Sequence, residues 1–556
     1  MTVTPEDLCA REAIHHVGAI QPHGVLVSVA MPDWTVRHAS ANAGELFEVD
    51  TAALIGESLR DYVDDHVLAQ VSDAVAGTHP GAPVVRAGRG NVGAMARLCE
   101  VSTHVADSLV HIEIEPQADR AMPVLTAQAM IARLSTCDGA DAFDRCVVEQ
   151  VRQLTGFDRV MLYRFRRDGA GEVVAEDADP AMEPYLGLRY PASDIPPQAR
   201  ELYLRNRIRL IADVAAAPVP VVPALQADGT PLDMGQHALR SVSPVHLEYL
   251  RNMGVGASLS VSIIAGGRLW GLVACHHRVA RVLPPAVREQ AEMFGLFVSM
   301  RIAAREQDEA LARVEHAQQV RDAIAARLDH ADDVDPVLAQ ALGEVAALFE
   351  GDGALLAAPS GTHAHGRVPV DARALQAWLD DSGPVGLAAT DAAEDWGGTA
   401  GLAGVIAMRI GADGARLFVF RREQVEDVRW AGDPSKTVST DDGARIAPRR
   451  SFAEWAQTVR GRSVPFTDAD MRGADRLARL LREMRRARAG NGAPPEGAQV
   501  AIEQHRRQLD ALSGLLPGLV HLDDAQARAL GEQIAALQAQ VQALMRAPAG
   551  DGERGA

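Results

Sequence analysis

The sequence predicts an α+β protein made of three mixed domains joined by long helices, with a further helical segment near the C-terminal end. Runs of alternating apolar residues, which are typical of strands, occur together with helix-forming runs in three successive regions. From about Pro284 to Leu328 only Gly295 interrupts a helix-forming run, which predicts one helix roughly 65 Å long. The length of 556 residues is also what three or four domains of ordinary size require.

The composition indicates a globular protein and argues against two classes of partner. The hydrophobic fraction is 47%, and the formal net charge of −19 argues against nucleic acid or an anionic membrane surface as a primary partner. No run of about 18 apolar residues and no signal pattern occur, so we expect a cytoplasmic protein. Cys9, Cys99, Cys137, Cys146 and Cys275 are widely spaced, so neither disulfides nor a metal site is expected.

The first region has the pattern of a small mixed domain behind an N-terminal arm. Residues 1–19 form the arm, and the domain covers 20–118. Alternating apolar residues predict a strand over Gly24–Val29, and a helical stretch is expected over Ala39–Leu46. Strand pattern returns over Val101–Ile114.

The second region covers residues 119–305. Its apolar runs predict strands over Arg159–Phe165, Ser258–Ile264 and Leu269–Cys275. The predicted long helix over 284–328 follows and carries a stripe of residues at alternating four and three spacing, the signature of a packing seam. The stripe consists of Met293, Phe297, Met300, Ala304, Gln307, Leu311 and Val314.

A third mixed unit covers 306–485. After a Pro/Gly-rich break, residues 498–546 read as a helical hairpin or coiled-coil segment, and 547–556 as a disordered tail. The segment carries a second 4-3-4-3 stripe, formed by Leu530, Ile534, Leu537, Val541 and Leu544. We therefore expect a homodimer through helices 284–328 and 498–546, with a protein effector as another candidate partner of the C-terminal segment.

Two stretches of the second region carry the chemistry. Residues 188–200 place Asp194 in a turn stiffened by three prolines, where an acid alone would most often cap the helix that follows. Residues 239–256 predict a helix after Pro244 on which His246, Tyr249 and Met253 share one face. Taken alone, such a His and Tyr are more often core residues than ligands.

These two stretches and a third, Trp430–Pro434 with Pro448–Phe452, resemble blocks of the phytochromes in the same order. The resemblance runs from about residue 5 to 485 and is to bacterial phytochromes, red/far-red photoreceptors that carry biliverdin. It implies that the three units are a PAS domain, a bilin-binding GAF domain and a PHY domain, whose tongue would cover about 425–460.

The resemblance also implies where the chromophore is attached. The segment Cys9–His15 resembles the biliverdin-attachment arm, and a mobile thiol suits addition to a vinyl group. Relatives that attach the pigment in the second domain do so just before the helix histidine, where this chain has Val245. The expected cofactor is therefore biliverdin IXα, held by a covalent thioether at Cys9.

The remaining site residues are implied by the same resemblance. His246 would lie beside the pyrrole nitrogens, Asp194 would accept from the pyrrole N–H groups through its carbonyl, and His276 would bond the carbonyl of the isomerising ring. Arg240, Ser243, Tyr203 and Arg209 would hold the propionates, with help from Ser258 and Ser260. Met161, Tyr163, Tyr190 and Tyr249 would surround the outer rings, together with Ile195 and Pro196 of the ring-contacting turn.

In the tongue, the resemblance implies a switch built from Asp194, Trp430, Arg449 and Ser451. Arg449 is expected to pair with Asp194 in one state and Ser451 to replace it in the other. Part of 445–457 would then become helical.

Motifs that cradle a nucleotide phosphate do not occur in the sequence. We therefore expect no kinase domain and no enzyme activity in this chain, and a helical output instead. Two alternatives stay open: a light-independent bilin-binding or scaffold protein, and the photosensory fragment of a larger histidine kinase.

Overall fold

The computed structural model describes residues 12–489, except 80–81, 94, 118–124, 330, 332, 370–372, 383–385, 399–400, 435–437, 442–444 and 449–450. Cys9, Arg449, the segment 498–546 and the tail 547–556 lie outside the described residues. The chain divides into two compact units. The first contains residues up to Glu309 and Glu426–Val459, and the second contains Ala310–Val425 and the residues from Arg460.

Helices and mainly antiparallel sheets occur together in the described chain, which confirms the predicted α+β class. The strands are β1 (Ala19–Ile20), β2 (Val25–Ala30), β3 (Thr35–Ser40), β4 (Val85–Val92), β5 (Arg97–Ala106), β6 (Leu109–Pro116), β7 (Arg159–Phe165), β8 (Gly171–Ala178), β9 (Arg189–Tyr190), β10 (Ile208–Ile211), β11 (Val219–Val222), β12 (Ala257–Ala265), β13 (Arg268–His277), β14 (Gly353–Ala358), β15 (Gly361–Gly366), β16 (Leu387–Thr390), β17 (Leu402–Arg409), β18 (Arg416–Arg422), β19 (Glu426–Ala431), β20 (Val438–Asp441), β21 (Arg445–Pro448) and β22 (Glu454–Val459).

The helices are α1 (Ala43–Phe47), α2 (Thr51–Leu54), α3 (Asp65–Ala76), α4 (Ala127–Leu134), α5 (Ala140–Thr155), α6 (Pro197–Arg205), α7 (Pro244–Asn252), α8 (Pro285–Asp329), α9 (Val334–Gln340), α10 (Leu342–Leu348), α11 (Arg373–Ser382), α12 (Ala393–Trp396) and α13 (Asp468–Ala489). Short 3₁₀ turns occur at Leu59–Asp61 and Ala192–Asp194. In the described part of the chain no helix is long and apolar enough to cross a membrane.

The first sheet has seven strands in the order β1-β11-β3-β2-β6-β5-β4. Its strand β11 comes from residues 219–222, far outside the predicted first domain, and was not anticipated from the sequence. The helix expected over Ala39–Leu46 is wrong at its start, because Thr35–Ser40 is a strand and the helix begins at Ala43. The strand pattern over 101–114 is a hairpin that turns at Asp107 and Ser108, both with positive φ.

The second sheet has eight strands in the order β10-β12-β13-β7-β8-β9-β19-β22. One of its faces packs on α5 and the first half of α8, with Phe157, Phe294 and Val261 fully buried between them. Apolar burial of this kind stabilises a domain by about 25 cal/mol per Å². The last two strands come from the predicted tongue, which therefore extends this sheet.

The predicted long helix is confirmed as α8, a single helix of 45 residues. Several members of its predicted seam are exposed in the single chain, including Met300 at 57% and Leu311 at 56%. An apolar stripe left in water on a long helix is typical of a surface that packs against a partner.

The second unit is built around the five-stranded sheet β15-β14-β18-β17-β16. One core joins this sheet to the end of α8, to α9, α10 and α13, through residues such as Leu338 and Leu477. Another core on the sheet contains Leu379 of α11 and Trp396 of α12. A sheet with an apolar core on each face is a complete domain architecture.

Candidate binding pocket

One face of the second sheet gathers residues from four neighbouring strands. Paired residues on adjacent antiparallel strands point to the same face, as do alternate residues along one strand. Arg209 is paired with Ser260, and Ser258 with His276. The same alternation continues on β7. Six of the predicted site residues therefore share this face: Arg209, Ser258, Ser260, His276, Met161 and Tyr163.

A cavity of about 1090 Å³, its open mouth included, lies beside this face. Nine predicted residues line it: Asp194, Ile195, Pro196, Tyr203, Arg209, Arg240, Ser243, His246 and Tyr249. The sequence interpretation missed twelve others: Glu12, Ile14, Ser193, Gln198, Ala199, Leu202, Asn206, Ile211, Ser241, Val242, Val245 and Pro448.

The predicted ring-contacting residues Met161, Tyr163 and Tyr190 lie in a buried cluster next to the cavity. The rings of Tyr163 and Tyr190 are 5.8 Å apart at an interplanar angle of 59°. The sequence interpretation missed Tyr185. The guanidinium of Arg159 lies over the ring of Tyr185, 3.7 Å from the ring centroid. Ile195, Tyr203 and Tyr249 pack against this cluster, so the cavity wall and the cluster are continuous. Ser258, Ser260 and His276 lie on the same face of the sheet as Met161 and Tyr163.

The cavity wall carries two guanidinium groups, that of the buried Arg240 and that of the half-buried Arg209. Arg209 donates to the carbonyl of Ala238 at 3.1 Å and to that of Ser241 at 3.0 Å, and Arg240 donates to the carbonyl of Ile14. Within the described residues neither one forms an ion pair. Burial holds the pKa of Arg209 well below its usual range, with a further contribution from Arg240, and burial lowers that of Arg240 to about 10. Two unneutralised cations in one wall favour an anionic ligand such as a carboxylate.

The N-terminal arm reaches the cavity. Ser243 donates to a carboxylate oxygen of Glu12 at 2.9 Å, and both residues line the wall. The main chain of His15 accepts from the amide of Met234 at 2.8 Å, which fixes the arm against the second domain.

Helix α7 joins the cavity to the tongue. It begins at Pro244, where proline is well tolerated because the first helical N–H has no partner within the helix. Tyr249 donates to a carboxylate oxygen of Asp194 at 2.8 Å. Its ring lies parallel to that of His246 at 5.9 Å and meets the ring of Phe452 edge-on at 5.0 Å. Asp194, Tyr249 and Phe452 are therefore in contact one after another.

Two histidines of the site are held neutral. Burial lowers the pKa of His246 to about 4, and the positive charge of Arg209 adds to the effect. Burial likewise lowers the pKa of His276 to about 3, and Arg159 adds to it. A neutral imidazole can both donate and accept a hydrogen bond, so these rings suit a ligand that carries N–H and C=O groups.

The tongue adopts the hairpin form in this structure. Its strand β19 runs parallel to β9, with Trp430 beside Arg189, and pairs antiparallel with β22. Arg189 forms an ion pair with Glu426, and Trp430 donates to the side chain of Gln457 at 3.0 Å. The side chain of Ser451 is exposed. The expected pairing of Arg449 with Asp194 involves a residue outside the described part of the chain.

The most informative residue that sequence reasoning missed is Phe452. In the sequence it is one residue of the third block, whose local pattern is typical of an exposed hairpin. No local signal indicates that its ring is buried against a helix far away in the chain. In the structure it is 7% exposed and packs in the same cluster as Tyr163 and Tyr190. Ala431 of β19 is fully buried in the same cluster.

Comparisons with known proteins agree with this architecture. Family models for a PAS fold, a GAF domain and the phytochrome region match residues 9–117, 142–302 and 317–489. A bacteriophytochrome from Pseudomonas aeruginosa is 35% identical over 561 residues, which cover 98% of this chain and 76% of that protein.

Solved structures agree as well. A bacteriophytochrome from R. palustris superposes with a TM-score of 0.75 at 31% identity, covering 87% of this chain and 100% of that one. The phytochrome photosensory core module of Stigmatella aurantiaca gives a TM-score of 0.73 at 33% identity, covering 86% of this chain and 98% of that one.

The fold and the pocket thus define a sensor built from PAS, GAF and PHY domains. The chain belongs to the bacterial phytochromes and contains their photosensory core. As a phytochrome, it is a red/far-red light photoreceptor with a bilin chromophore.

The neutral His246 predicts a pH dependence of the apoprotein's stability. The folded protein keeps its pKa at about 4, against 6.5 in an unfolded chain, so the unfolded state binds the extra proton between these values. This contribution to the unfolding free energy is fully present above pH 6.5 and is lost as the pH falls towards 4. His246→Gln should therefore lower the slope of unfolding free energy against pH by up to about 1.4 kcal/mol per pH unit in this window.

Urea denaturation at a series of pH values measures this slope. The exposed His66 provides the control, since His66→Gln should leave the slope unchanged. An equal slope in wild type and His246→Gln would show that His246 is not held neutral by its surroundings.

Proposed function

We propose that the chain binds biliverdin IXα through a covalent thioether at Cys9 and converts its photoisomerisation into a change in the tongue. The single observation that carries this proposal is the direct contact sequence from the pocket to the tongue, Asp194–Tyr249–Phe452. The bound bilin would supply light absorption and double-bond isomerisation. The chain's own residues would hold it, set its protonation and respond to its shape.

The residues present fit such a chromophore. The cavity is large and its wall is mainly apolar, and Arg209 and Arg240 offer two positive charges for the two propionate carboxylates. Arg209 donates to three main-chain carbonyls and Arg240 to only one, so Arg240, together with Ser243, is the better candidate for direct contact. Ser243 would exchange Glu12 for a propionate.

Two observations support Cys9 as the attachment residue. It is close in the chain to Glu12, and the buried thiols are poorly reactive. Glu12, three residues later, already lines the cavity. Burial raises the pKa of Cys99 to about 11 and that of Cys146 to about 12, and it raises the pKa of Cys275 as well. The thiolate is the reactive form, so these three cysteines are poor nucleophiles at neutral pH.

The tongue would act as a two-state element. Tyr163 and Tyr190 pack in one cluster with Phe452, so a change in their packing would disturb the contact between Phe452 and Tyr249. We retain the proposal that Arg449 pairs with Asp194 in one state and that Ser451 replaces it in the other. In the second state part of 445–457 would be helical.

The rest of the proposal concerns the whole chain. The PAS, GAF and PHY domains would cover 20–118, 119–305 and 306–485, in a cytoplasmic homodimer formed through helices 284–328 and 498–546. The exposed seam on α8 supports this dimer. Signalling would run through the helices to the C-terminal segment or to an effector bound there, and not through a kinase within this chain.

The first prediction of this proposal is that the protein is photochromic with biliverdin and that covalent attachment of the pigment requires Cys9. Mixed with biliverdin, the wild type should show absorbance changes that reverse under red and far-red light. It should also show zinc-induced pigment fluorescence on the denatured protein band. Cys9→Ala should keep non-covalent colour and lose the fluorescence.

Cys137→Ala is the control, because among the described cysteines Cys137 is the one that is not buried, and it should not be needed for attachment. Fluorescence that survives in Cys9→Ala would refute the attachment residue. A spectrum that does not respond to light would support the light-independent alternative.

The second prediction concerns Asp194 and His246. A protonated pigment is stabilised by negative charge and hydrogen-bond partners nearby. Asp194→Ala keeps the main-chain carbonyl but removes the carboxylate, and His246→Ala removes the imidazole, so both variants should assemble but lower the apparent pKa of the pigment and block completion of the photocycle. Tyr249→Phe keeps the ring against Phe452 and removes the hydroxyl that bonds Asp194, so its defect should be smaller. Absorbance spectra across pH, before and after illumination, measure both effects.

Tyr62→Phe, in the first domain, is the control and should behave as wild type. Complete photoconversion of both Asp194→Ala and His246→Ala at pH 8 would contradict the assigned roles.

A further inference from the structure

Three histidines form a buried cluster outside the pocket, where the first sheet meets the segment 233–241. They are His104, His111 and His237, with exposed fractions of 1%, 0% and 0%. One nitrogen from each ring lies within 4.8 Å of the others. The rings of His104 and His111 are stacked at 4.8 Å, and that of His237 meets them edge-on at 4.5 and 4.6 Å.

The backbone fixes these positions. His104 and His111 are cross-strand partners in the hairpin β5–β6, so their side chains emerge side by side on one face of the sheet. On the same face, two residues further along β6, the carboxylate of Glu113 accepts from the amides of Ala238 and Leu239 at 3.1 and 2.6 Å. These bonds fix the backbone at Ala238 and Leu239. They therefore hold the preceding residue, His237, over the rings of His104 and His111.

The ring nitrogens are poorly satisfied for such a buried place. In the described part of the chain, both nitrogens of His104 lack a hydrogen-bond partner, and those of His237 form no well-aligned hydrogen bond, although the backbone of Met234 lies close enough to raise the pKa of His237 slightly against the effect of burial. Leaving a buried polar group without a partner costs about 1–3 kcal/mol, so native proteins rarely do so. His111 is bonded to Ser28 at 2.8 Å and more loosely to the carbonyl of Ala106 at 3.3 Å.

We propose that His104, His111 and His237 bind one divalent transition-metal cation of the zinc class. Neutral imidazole is a preferred ligand of these metals, whereas Mg²⁺ and Ca²⁺ prefer oxygen. Metal–nitrogen bonds of about 2.0–2.1 Å require the three nitrogens to draw closer than they are now, which small rotations of the rings would allow. His111 would release one of its two bonds, and the other would orient its ring.

The electrostatics of the cluster support a cation ligand. Burial holds the pKa of His104 and His237 well below the usual range and lowers that of His111 to about 4, so all three keep a free lone pair at neutral pH. Asp233 is close enough to His111 to affect its pKa, and Glu113 lies on the same sheet face. The carboxylate of Asp233 would offset part of the metal's charge, whereas burial raises the pKa of Glu113 to about 7, so Glu113 would contribute less.

Metal binding here would brace one wall of the pocket. His237 precedes Arg240, Ser241 and Ser243 of the cavity wall by three to six residues. A metal that links His237 to the hairpin β5–β6 would tie this segment to the first sheet, in addition to the bonds made by Glu113.

The test is metal binding by the full-length protein, purified without a polyhistidine tag and stripped with a chelator. After dialysis against micromolar Zn²⁺, elemental mass spectrometry should find one retained equivalent per chain. X-ray absorption at the zinc edge should show nitrogen neighbours at about 2.0 Å. His104→Gln and His237→Gln should each weaken retention at least about tenfold, while the exposed-site control His66→Gln should not change it.

A second readout guards against variants that fold poorly. Zn²⁺ should raise the thermal midpoint of the wild type and of His66→Gln, and should not raise that of either cluster variant. The absence of retained zinc in the wild type would overturn the proposal and leave the cluster as a packed or hydrated histidine group. Equal retention in the wild type and both cluster variants would place the metal elsewhere and would overturn it too.

Discussion

The register of the second sheet is the constraint on which the site depends. Because β10, β12, β13 and β7 are paired antiparallel without a shift at the site, one face collects Arg209, Ser258, His276 and Met161 from four strands. The opposite face carries the domain core, so a slip of one residue would exchange the two sets. Burying that core therefore also fixes the geometry of the pocket, and the same sheet continues into the tongue through β9 and β19.

The pocket combines a positively charged wall with a direct contact to the tongue. Arg209 and Arg240 place uncompensated positive charge in the wall, while His246 and His276 remain neutral and able to exchange hydrogen bonds. Tyr249 connects this polar wall to the tongue, since its hydroxyl bonds Asp194 and its ring packs on Phe452. In the proposed mechanism, a ligand that alters the packing around Tyr249 would bias whether the tongue stays in the hairpin form.

Much of this could be predicted from local sequence, because periodicity and proline placement are local signals. β7, α6, α7 and α8 follow from such signals, and nine predicted residues line the cavity. The pairing of β11 with β1 and β3, and the burial of Phe452, depend on contacts between residues far apart in the chain. The non-glycine turn at Asp107 and Ser108 gave no turn signal, so the hairpin that carries His104 and His111 read as one strand.

The central claim is that the state of the pocket controls the structure of the tongue. Hydrogen exchange across residues 430–455, compared between dark and illuminated samples of the biliverdin-bound protein, tests it most directly. We predict that protection in β19 and around Phe452 differs between the two conditions, because the hairpin hydrogen bonds are kept in only one of them. Identical protection, in samples whose absorbance proves that the pigment has converted, would contradict the claim.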